Sequence, residues 1–156
     1  MAARPQVSIS AERPDAPDAM GLIAELDANL APLYPAGSGY GLSVQRLMEA
    51  KVAFFVLRCD GQPAGCGGLQ LFGSEYGEVK RLYVRPQFRG RGLSKAIMKH
   101  LERYARERGL PLLRLETGIH QPEAIGLYEH LGYRRIGPFG EYPLDPLSIF
   151  FEKRLV

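Results

Sequence analysis

The stretch EVKRLYVRPQFRGRGLSK, residues 78–95, decides the fold of this chain. Its first residues are typical of a strand, and after a proline the chain becomes rich in arginine and glycine before an amphipathic helix begins. Glycines at 90 and 92 allow backbone angles closed to other residues and let a ligand approach the main chain. The first amides of a helix have no acceptor within the helix, so this strand-to-helix corner is suited to an anion. We expect a pyrophosphate site there, with further attraction from Arg89, Arg91, Ser94 and Lys95.

Two common phosphate-binding motifs do not match this corner. A Walker loop, G-x-x-x-x-G-K-[ST], is absent, and the dinucleotide fingerprint G-x-G-x-x-G fails because Lys95 stands where its third glycine belongs. That fingerprint also follows the first strand of a β-α-β unit, whereas this corner follows a meander. The sequence therefore argues against ATP and NAD as ligands. A basic turn without a ligand is the simpler alternative.

The rest of the chain predicts strands and helices in the order β-α-α-β-β-β-α-β-α-β-β. Alternating or β-branched runs predict the strands, and the Asp-Gly dipeptide at 60–61 marks a hairpin. Acidic residues precede a helix over 19–30, Ser43 is a candidate cap for a second helix, and an apolar stripe marks the third. Polar side chains, Glu102 among them, are expected to fill the opposite face of this third helix. The order favours an α/β fold with a mixed central sheet and helices on both faces, forming a single domain over residues 1–156.

Composition limits the class of protein and its compartment. The chain has 156 residues and a net charge of +3, which is too mild for a nucleic-acid binder. The N-terminus lacks the apolar core of a signal peptide, and no apolar run reaches membrane-spanning length, so we expect a cytoplasmic protein. Cys59 and Cys66 flank a hairpin, and we predict two reduced, partly buried thiols, with the alternative that they face each other across it. The three histidines show no metal-ligand spacing, and no metal is expected.

Two segments together resemble a known family. VRPQFRGRGLSKAIM, residues 84–98, resembles the acetyl-CoA signature Q/R-x-x-G-x-G/A of the GNAT superfamily of N-acetyltransferases, with Gln87, Gly90 and Gly92 on the motif positions. LRLETGIHQPEAIGLYEHLGY, residues 113–133, resembles the strand, loop and helix that follow in that family. The resemblance runs from about residue 50 to the end of the chain. It implies the GNAT fold and acetyl-CoA as the cofactor.

The resemblance also implies how the cofactor is held. The strand before the corner splays from the next strand, and pantetheine lies in the gap like an added strand. A backbone N–H near Leu82 is then placed to polarise the thioester carbonyl. The expected cofactor residues are Leu82, Tyr83, Val84, Gln87, Arg89, Gly90, Arg91, Gly92, Leu93, Ser94, Lys95, Gln121 and Tyr128. Two positions depart from the family pattern, since Gln121 replaces a frequent asparagine and Ser94 a frequent glycine.

Candidates for proton transfer come from the same resemblance and from the residues themselves. Tyr128 is the expected general acid for the departing thiolate, and a core tyrosine is the alternative. Glu78 opens the cofactor strand and is the first candidate base, with an exposed strand-end carboxylate as its alternative. Glu116 is the second candidate, because a carboxylate in an apolar strand needs a partner, and the alternatives for this partner are a substrate or an arginine, Arg81 or Arg114. A water chain without a single base is a further alternative.

The acceptor site is expected between the loop after the first helix and the loop before the last strand. Aromatic and acidic side chains in these loops suit a cationic amine, and three prolines stiffen the second loop. The predicted acceptor residues are Tyr34, Tyr40, Glu116, Phe139, Glu141, Tyr142 and Asp145. A rigid surface loop or a dimer contact is the alternative for the second loop.

These features predict an acetyl-CoA-dependent N-acetyltransferase that transfers the acetyl group directly to a primary amine in a ternary complex. Neither cysteine is placed as an acyl-accepting nucleophile. The alternative is a GNAT-fold acetyl-CoA sensor that regulates a partner and turns over poorly. The acceptor is expected to be a small-molecule or peptide amine, whose identity the sequence leaves open. We expect a monomer or homodimer without nucleic-acid or membrane partners.

Overall fold

The computed structural model describes residues 5–35 and 42–156, and Tyr40 lies outside these described residues. The helices are α1 (Pro17–Leu30), α2 (Val44–Glu49), α3 (Leu93–Glu107) and α4 (Pro122–His130), and 3₁₀ turns occupy Ala31–Leu33 and Pro86–Phe88. The strands are β1 (Val7–Ala11), β2 (Ala53–Cys59), β3 (Gln62–Phe72), β4 (Tyr76–Val84), β5 (Leu112–Gly118), β6 (Arg134–Ile136) and β7 (Ser148–Arg154). This is the predicted order of elements. Within the two described ranges, no helix has the length and apolar content needed to cross a membrane.

The seven strands form one sheet in the order β1-β2-β3-β4-β5-β7-β6. Neighbours β4 and β5 are parallel, and the other neighbouring pairs are antiparallel. The β2–β3 hairpin turns at Asp60 and Gly61, both with positive φ, as an Asp-Gly dipeptide favours. One apolar core packs α3 on the sheet and a second packs α1. The predicted mixed α/β fold is confirmed.

Close packing of α3 on the sheet holds the corner at 89–95 in place. Ile97 and Leu101 are buried in the larger apolar core, with exposed fractions of 1% and 0%. An added Cβ at Gly67 of β3 would lie 2.7 Å from Ile97 Cγ2, so the strand needs glycine here to let the helix approach. The first turn of α3 therefore starts from a fixed position above the sheet.

The parallel strands β4 and β5 stay together for only a short distance. Their pairing covers Gly77 with Leu113 and Glu78 with Arg114, and it stops there, although β4 continues to Val84. The strands part toward their carboxyl ends, which is where ligands bind in open α/β sheets. This is the splay that the family resemblance implies.

Both cysteines are buried free thiols. In the β2–β3 pairing Cys59 lies opposite Gln62 and Cys66 lies opposite Val56, so the two thiols do not face each other and that alternative is wrong. Their exposed fractions of 4% and 0% also make them more completely buried than the sequence suggested.

Glu102 of α3 is buried, which corrects the prediction that it lies on a solvated face. Its carboxylate accepts a hydrogen bond from the Tyr133 hydroxyl at 2.8 Å and lies 2.9 Å from Lys153 Nζ. Both partners are distant in sequence, so helical periodicity alone gives no sign of them. The network ties the middle of α3 to the chain after α4 and to β7.

Replacing Tyr133 by phenylalanine is expected to lower the free energy of unfolding by about 1.5–3 kcal/mol, the typical value of a hydrogen bond to a charged group. The ring stays packed while the buried Glu102 carboxylate loses one of its donors. Urea unfolding followed by circular dichroism measures the change. The exposed Lys99 on the same helix offers a control, and Lys99→Gln should stay within about 0.5 kcal/mol of the parent. Equal losses in both variants would contradict a specific role for this bond.

Candidate active site

The parting of β4 and β5 opens a cleft with two connected halves. One half, which we call the glycine half, has a volume of about 650 Å³ and is bounded by the corner at 89–95. The other, the carboxylate half, has a volume of about 490 Å³ and contains Glu78 and Glu116. Both volumes are typical of sites for small molecules and cofactors. The residues that line both halves form what we call the junction: Leu26, Leu30, Leu82, Gln121 and Tyr128.

The glycine half is built by the turn from β4 into α3. Gly90 and Gly92 have φ values of 80° and 73°, a region that glycine adopts without strain. An added Cβ at either position would meet no heavy atom within 4 Å, so the space above this backbone is open to a ligand. Gly92 caps α3, and the N–H groups that follow have no acceptor within the helix. The predicted cofactor residues that line this half are Leu82, Tyr83, Val84, Arg89, Gly90, Gly92, Leu93, Ser94, Lys95, Gln121 and Tyr128.

Gln87 and Arg91 are the predicted cofactor residues that line neither half. Gln87 is exposed on its 3₁₀ turn, and Cζ of Arg91 lies 5.5 Å from the centroid of the Phe88 ring. Arg89 does line the glycine half, and its Nε donates to the carbonyl oxygen of Val84 at 3.1 Å. Contacts of Gln87 and Arg91 with a cofactor stay predictions.

A bulge in β4 lies beside the cleft. Its register with β3 shifts between Cys66 and Gly68, opposite Arg81 and Leu82, and Arg81 has a φ of 58°. Such a backbone is costly for any residue except glycine, and it persists where the surroundings fix it. Here the buried guanidinium of Arg81 is anchored on α1 by the carboxylate of Asp27. The alternative that pairs Arg81 with Glu116 is therefore wrong.

Tyr128 of α4 lies at the junction. Its ring packs against Tyr133 and Phe151, with centroids 5.9 and 5.8 Å away, and 5% of the residue is exposed. Burial, and then the negative charge of Glu116, raises the pKa of the Tyr128 hydroxyl, which therefore stays protonated at neutral pH. The Tyr128 ring is part of the core, and the residue also lines both halves of the cleft. The predicted role as general acid and the alternative of a core tyrosine are therefore compatible.

Glu78 is buried, with an exposed fraction of 3%, so the alternative of an exposed strand-end carboxylate is wrong. One carboxylate oxygen accepts from the Tyr142 hydroxyl at 2.5 Å and lies 2.7 Å from Lys80 Nζ. Lys80 also donates to the Tyr142 oxygen at 2.8 Å. Burial, followed by the charge of Glu78, raises the pKa of Tyr142 and keeps it a donor. The ammonium of Lys80 therefore balances the negative charge of Glu78 at short range, on the wall of the carboxylate half.

Glu116 lies in the same half with a different environment. It accepts a hydrogen bond from Ser148 Oγ of the neighbouring strand β7 at 2.7 Å. Burial raises the pKa of the Glu116 carboxyl, and the opposing effects of the Ser148 bond and the Lys80 charge are smaller. The alternative of an arginine partner is wrong for Arg114 as well, since its guanidinium lies 3.5 Å from Glu152. Glu116 thus combines a raised pKa with access to the cleft, a combination that marks candidate functional groups.

The two loops predicted to form the acceptor site contribute unequally. Tyr34 and Tyr142 line the carboxylate half. Phe139 is instead buried beneath its loop against Phe150 and two tyrosines, so the prediction that it lines the site is wrong. Asp145 accepts from the N–H of Leu147 at 2.8 Å and from that of Ser148 at 3.0 Å, which turns the chain into β7. A contact of Asp145 with the acceptor stays a prediction. Glu141 is exposed on the same loop.

Gln121 caps the start of α4 at the junction. Its Oε1 accepts from the Thr117 hydroxyl at 3.1 Å, so the side chain is held toward the end of β5. The residue lines both halves, and a cofactor contact through its amide nitrogen stays a prediction.

Sequence reasoning missed several polar residues of the carboxylate half, among them Lys80 and Ser148. Lys80 stands two residues after Glu78, and this spacing puts both side chains on one face of a strand. That signal was present in the sequence. The contact of Ser148 with Glu116 depends on the register of β5 with β7, which no local pattern reveals.

Comparison with known proteins identifies the family. Residues 23–133 match the acetyltransferase (GNAT) family. The chain belongs to the GNAT family. The predicted class, an N-acetyltransferase, is confirmed, and acetyl-CoA is the cofactor of GNAT enzymes.

Relatives cover almost the whole chain. The IAA acetyltransferase of Azospirillum brasilense is 42% identical over 152 residues, which are 97% of this chain and 99% of that protein. The uncharacterized N-acetyltransferase YsnE of Bacillus subtilis is 30% identical, over 87% of this chain and 91% of that protein. The crystal structure of a putative acyl-CoA N-acyltransferase from Klebsiella pneumoniae superposes with a TM-score of 0.82 at 38% identity, covering 96% and 98% of the two chains. A GNAT acetyltransferase from Elizabethkingia anophelis with acetyl-CoA bound, 16% identical over 95% and 97% of the chains, shares the fold with a TM-score of 0.72.

Proposed function

We propose that this GNAT chain transfers an acetyl group from acetyl-CoA directly to a primary amine, with both substrates bound in the one cleft. The observation that carries the proposal is the meeting of the glycine half and the carboxylate half at Leu82 and Tyr128. A thioester bound from one side and an amine bound from the other then share the same reacting point.

The glycine half fits the cofactor. Its corner offers unstrained left-handed glycines, open space above them and the free amides of a helix start, which suit a diphosphate. The main chain of Leu82 to Val84 lines the glycine half and is not paired with β5, which suits the amide-bearing pantetheine arm. When bound, acetyl-CoA supplies an activated acetyl group on sulfur. Arg89 and Lys95 add positive charge on the same side of the cleft.

Changing Gly92 to alanine is expected to raise the Kd for CoA by roughly tenfold, since a non-glycine residue at this φ costs about 1–2 kcal/mol. The added methyl group meets no neighbour, so the effect comes from the backbone of the anion-binding turn. Isothermal titration calorimetry measures it. Gly126 on α4 also has open space around it but an ordinary φ, and Gly126→Ala should leave the Kd unchanged. An unchanged Kd in Gly92→Ala would remove the corner from the binding site.

Glu116 is the base that the geometry favours. The Glu78 carboxylate is buried, and the Lys80 ammonium and the Tyr142 hydroxyl already contact one of its oxygens. The Glu116 carboxyl has a hydroxyl partner and a raised pKa, which brings it nearer to that of a useful general base. We therefore assign proton acceptance to Glu116 and assign Glu78 the positioning of Lys80 and Tyr142. The sequence-based prediction that Glu78 is the base is not favoured by the contacts of its carboxylate with Lys80 and Tyr142.

Two groups at the junction, the Leu82 N–H and the Tyr128 hydroxyl, are assigned the stabilisation of negative charge on the carbonyl oxygen and the protonation of the departing sulfur. The N–H of Leu82, on the bulged strand, would donate to the thioester carbonyl oxygen and stabilise negative charge there once acetyl-CoA is bound. Glu116 takes a proton from the attacking amine, and the protonated Tyr128 gives one to the departing sulfur. The C–N bond forms as the C–S bond breaks, so an amide and free CoA result.

Direct transfer is also favoured by the state of the thiols. Cys66 is fully buried, its sulfur donates to the Arg81 carbonyl oxygen at 3.4 Å, and burial raises its pKa to about 12. Cys59 is buried too. The Cys66 thiol is a poor nucleophile, because the thiolate is the reactive form, and Cys59 lines neither half of the cleft. Since the chain contains two cysteines, none is left to carry the acetyl group.

The carboxylate half suits a compact, cationic acceptor. Acidic side chains lie beside the rings of Tyr34 and Tyr142, and such a mixture attracts an ammonium group before it is deprotonated. A volume of about 490 Å³ accommodates a small amine or the terminal residue of a peptide.

An amine screen tests the proposal. Purified protein and acetyl-CoA are incubated with polyamines, amino acids, aromatic amines, short peptides with free N-termini and IAA, the acceptor named for the Azospirillum relative. Release of free CoA is followed, and products are identified by mass spectrometry. Acetylation on nitrogen of at least one amine is expected. Tight acetyl-CoA binding with no acceptor consumed would overturn the proposal and favour a binding module.

A further inference from the structure

Tyr34 joins the two flanks of the cleft. It follows the 3₁₀ turn after α1, and its hydroxyl oxygen accepts from the backbone N–H of His120 at 3.3 Å, 86 residues later in the chain. The rings of Tyr34 and His120 are also in contact, with centroids 5.6 Å apart. The α1 flank and the β5–α4 flank are thereby in contact at Tyr34.

Gly118, the last residue of β5, provides the place where the Tyr34 ring sits. A Cβ added to Gly118 would lie 1.5 Å from Tyr34 Oη and 2.2 Å from Tyr34 Cζ, so the ring occupies the space of the missing side chain. The backbone of Gly118 is not among those with positive φ, so its conformation does not require glycine. The space taken by Tyr34 is therefore the physical reason for a glycine here.

The contact lies at the boundary between the two halves of the cleft. Tyr34 and Gly118 line the carboxylate half, while their chain neighbours Leu33 and His120 line the glycine half. Burial raises the pKa of the Tyr34 hydroxyl and the negative charge of Glu116 adds to this effect, so the ring lies near the group assigned as the base. The Tyr34 ring is therefore part of the wall of the carboxylate half, next to its boundary with the glycine half.

We infer that Tyr34, seated on Gly118, is a specificity-determining residue that limits the size of the group extending from the thioester sulfur into the carboxylate half. The inference rests on the proposed function only in that acetyl-CoA occupies the glycine half. The ring leaves room for an acetyl group and excludes longer acyl chains. Gly118 acts through Tyr34, because its missing side chain is what admits the ring.

Binding of unreactive CoA thioethers tests this without turnover. The Kd values of S-ethyl-CoA and S-hexyl-CoA are measured by calorimetry for the full-length protein and for Tyr34→Ala, Tyr34→Phe and Gly118→Ala. We expect the parent to bind S-hexyl-CoA roughly tenfold or more weakly than S-ethyl-CoA, within the range by which pockets discriminate added methylenes. Tyr34→Ala should reduce this ratio to about threefold or less with the Kd for S-ethyl-CoA unchanged. Tyr34→Phe keeps the ring and should keep the parental ratio.

Gly118→Ala supplies the second readout. Its added methyl group must displace the Tyr34 ring. Gly118→Ala should therefore change the ratio of the Kd for S-hexyl-CoA to the Kd for S-ethyl-CoA when Tyr34 is present, and leave this ratio unchanged when Tyr34 is already alanine. Additive effects would overturn the coupling, and an unchanged ratio in Tyr34→Ala would overturn the inference as a whole. An equal weakening of both ligands would make Tyr34 a cofactor contact and also overturn it. If no amine is acetylated while the ratios change as expected, the proposed function fails and this inference stands.

Discussion

Replacing Glu116 by glutamine is expected to lower kcat/KM for an accepted amine by roughly 10²–10⁴-fold, the usual contribution of general base catalysis. The amide keeps the shape of the side chain and its contact with Ser148, but it cannot take a proton. The Kd for acetyl-CoA should stay within about twofold of the parent value, because Glu116 lines the carboxylate half and not the glycine half. Steady-state kinetics and calorimetry on the same preparation separate the two effects.

The pH profile distinguishes Glu116 from Glu78 as the base. A base works when deprotonated, so kcat/KM should fall as pH decreases through the pKa of Glu116, which burial raises above the ordinary value for glutamate. Glu116→Gln should lose this acidic limb. Glu78→Gln leaves the buried Lys80 without its charge partner and should mainly destabilise the fold, while the limb persists. A lost limb in Glu78→Gln and a retained one in Glu116→Gln would return the base to Glu78.

Replacing Tyr128 by phenylalanine is expected to lower kcat by roughly 10²-fold or more, since the departing thiolate loses its proton donor. The ring contacts with Tyr133 and Phe151 remain, so the unfolding free energy should change little. Single-turnover rates with a saturating amine give the effect on chemistry. The neighbouring Tyr133→Phe is the matched control, with the opposite pattern of lower stability and a nearly unchanged rate. A rate for Tyr128→Phe within about twofold of the parent would remove this residue from proton transfer.

The features that the sequence predicted correctly are those with local causes. Ser43 caps α2, accepting from the Arg46 N–H at 3.2 Å, and the hairpin at 60–61 turns as its dipeptide favours. The glycines of the corner have the positive φ that their place before a helix suggested. Each depends on residues close together in the chain, so propensity and spacing were sufficient.

The features that the sequence missed depend on contacts between distant segments. Glu102 is buried because Tyr133 and Lys153 reach it from elsewhere in the chain. The partner of Glu116 is set by strand register, and it proved to be a serine where charge alone had suggested an arginine. Phe139 has the composition of a site residue, but the core beneath its loop accommodates it. In each case tertiary packing decided between outcomes that the local sequence allowed equally.

Direct transfer at the junction is tested most directly in a single turnover with enzyme in excess. The protein is loaded with radiolabelled acetyl-CoA, mixed with an accepted amine, and quenched at intervals, with free CoA, acetylated amine and protein-bound label measured in each sample. We expect free CoA and acetylated amine to appear together at one rate, only after the amine is added, with no label on the protein. Release of CoA before the amine is added, with the label retained on the protein, would contradict direct transfer.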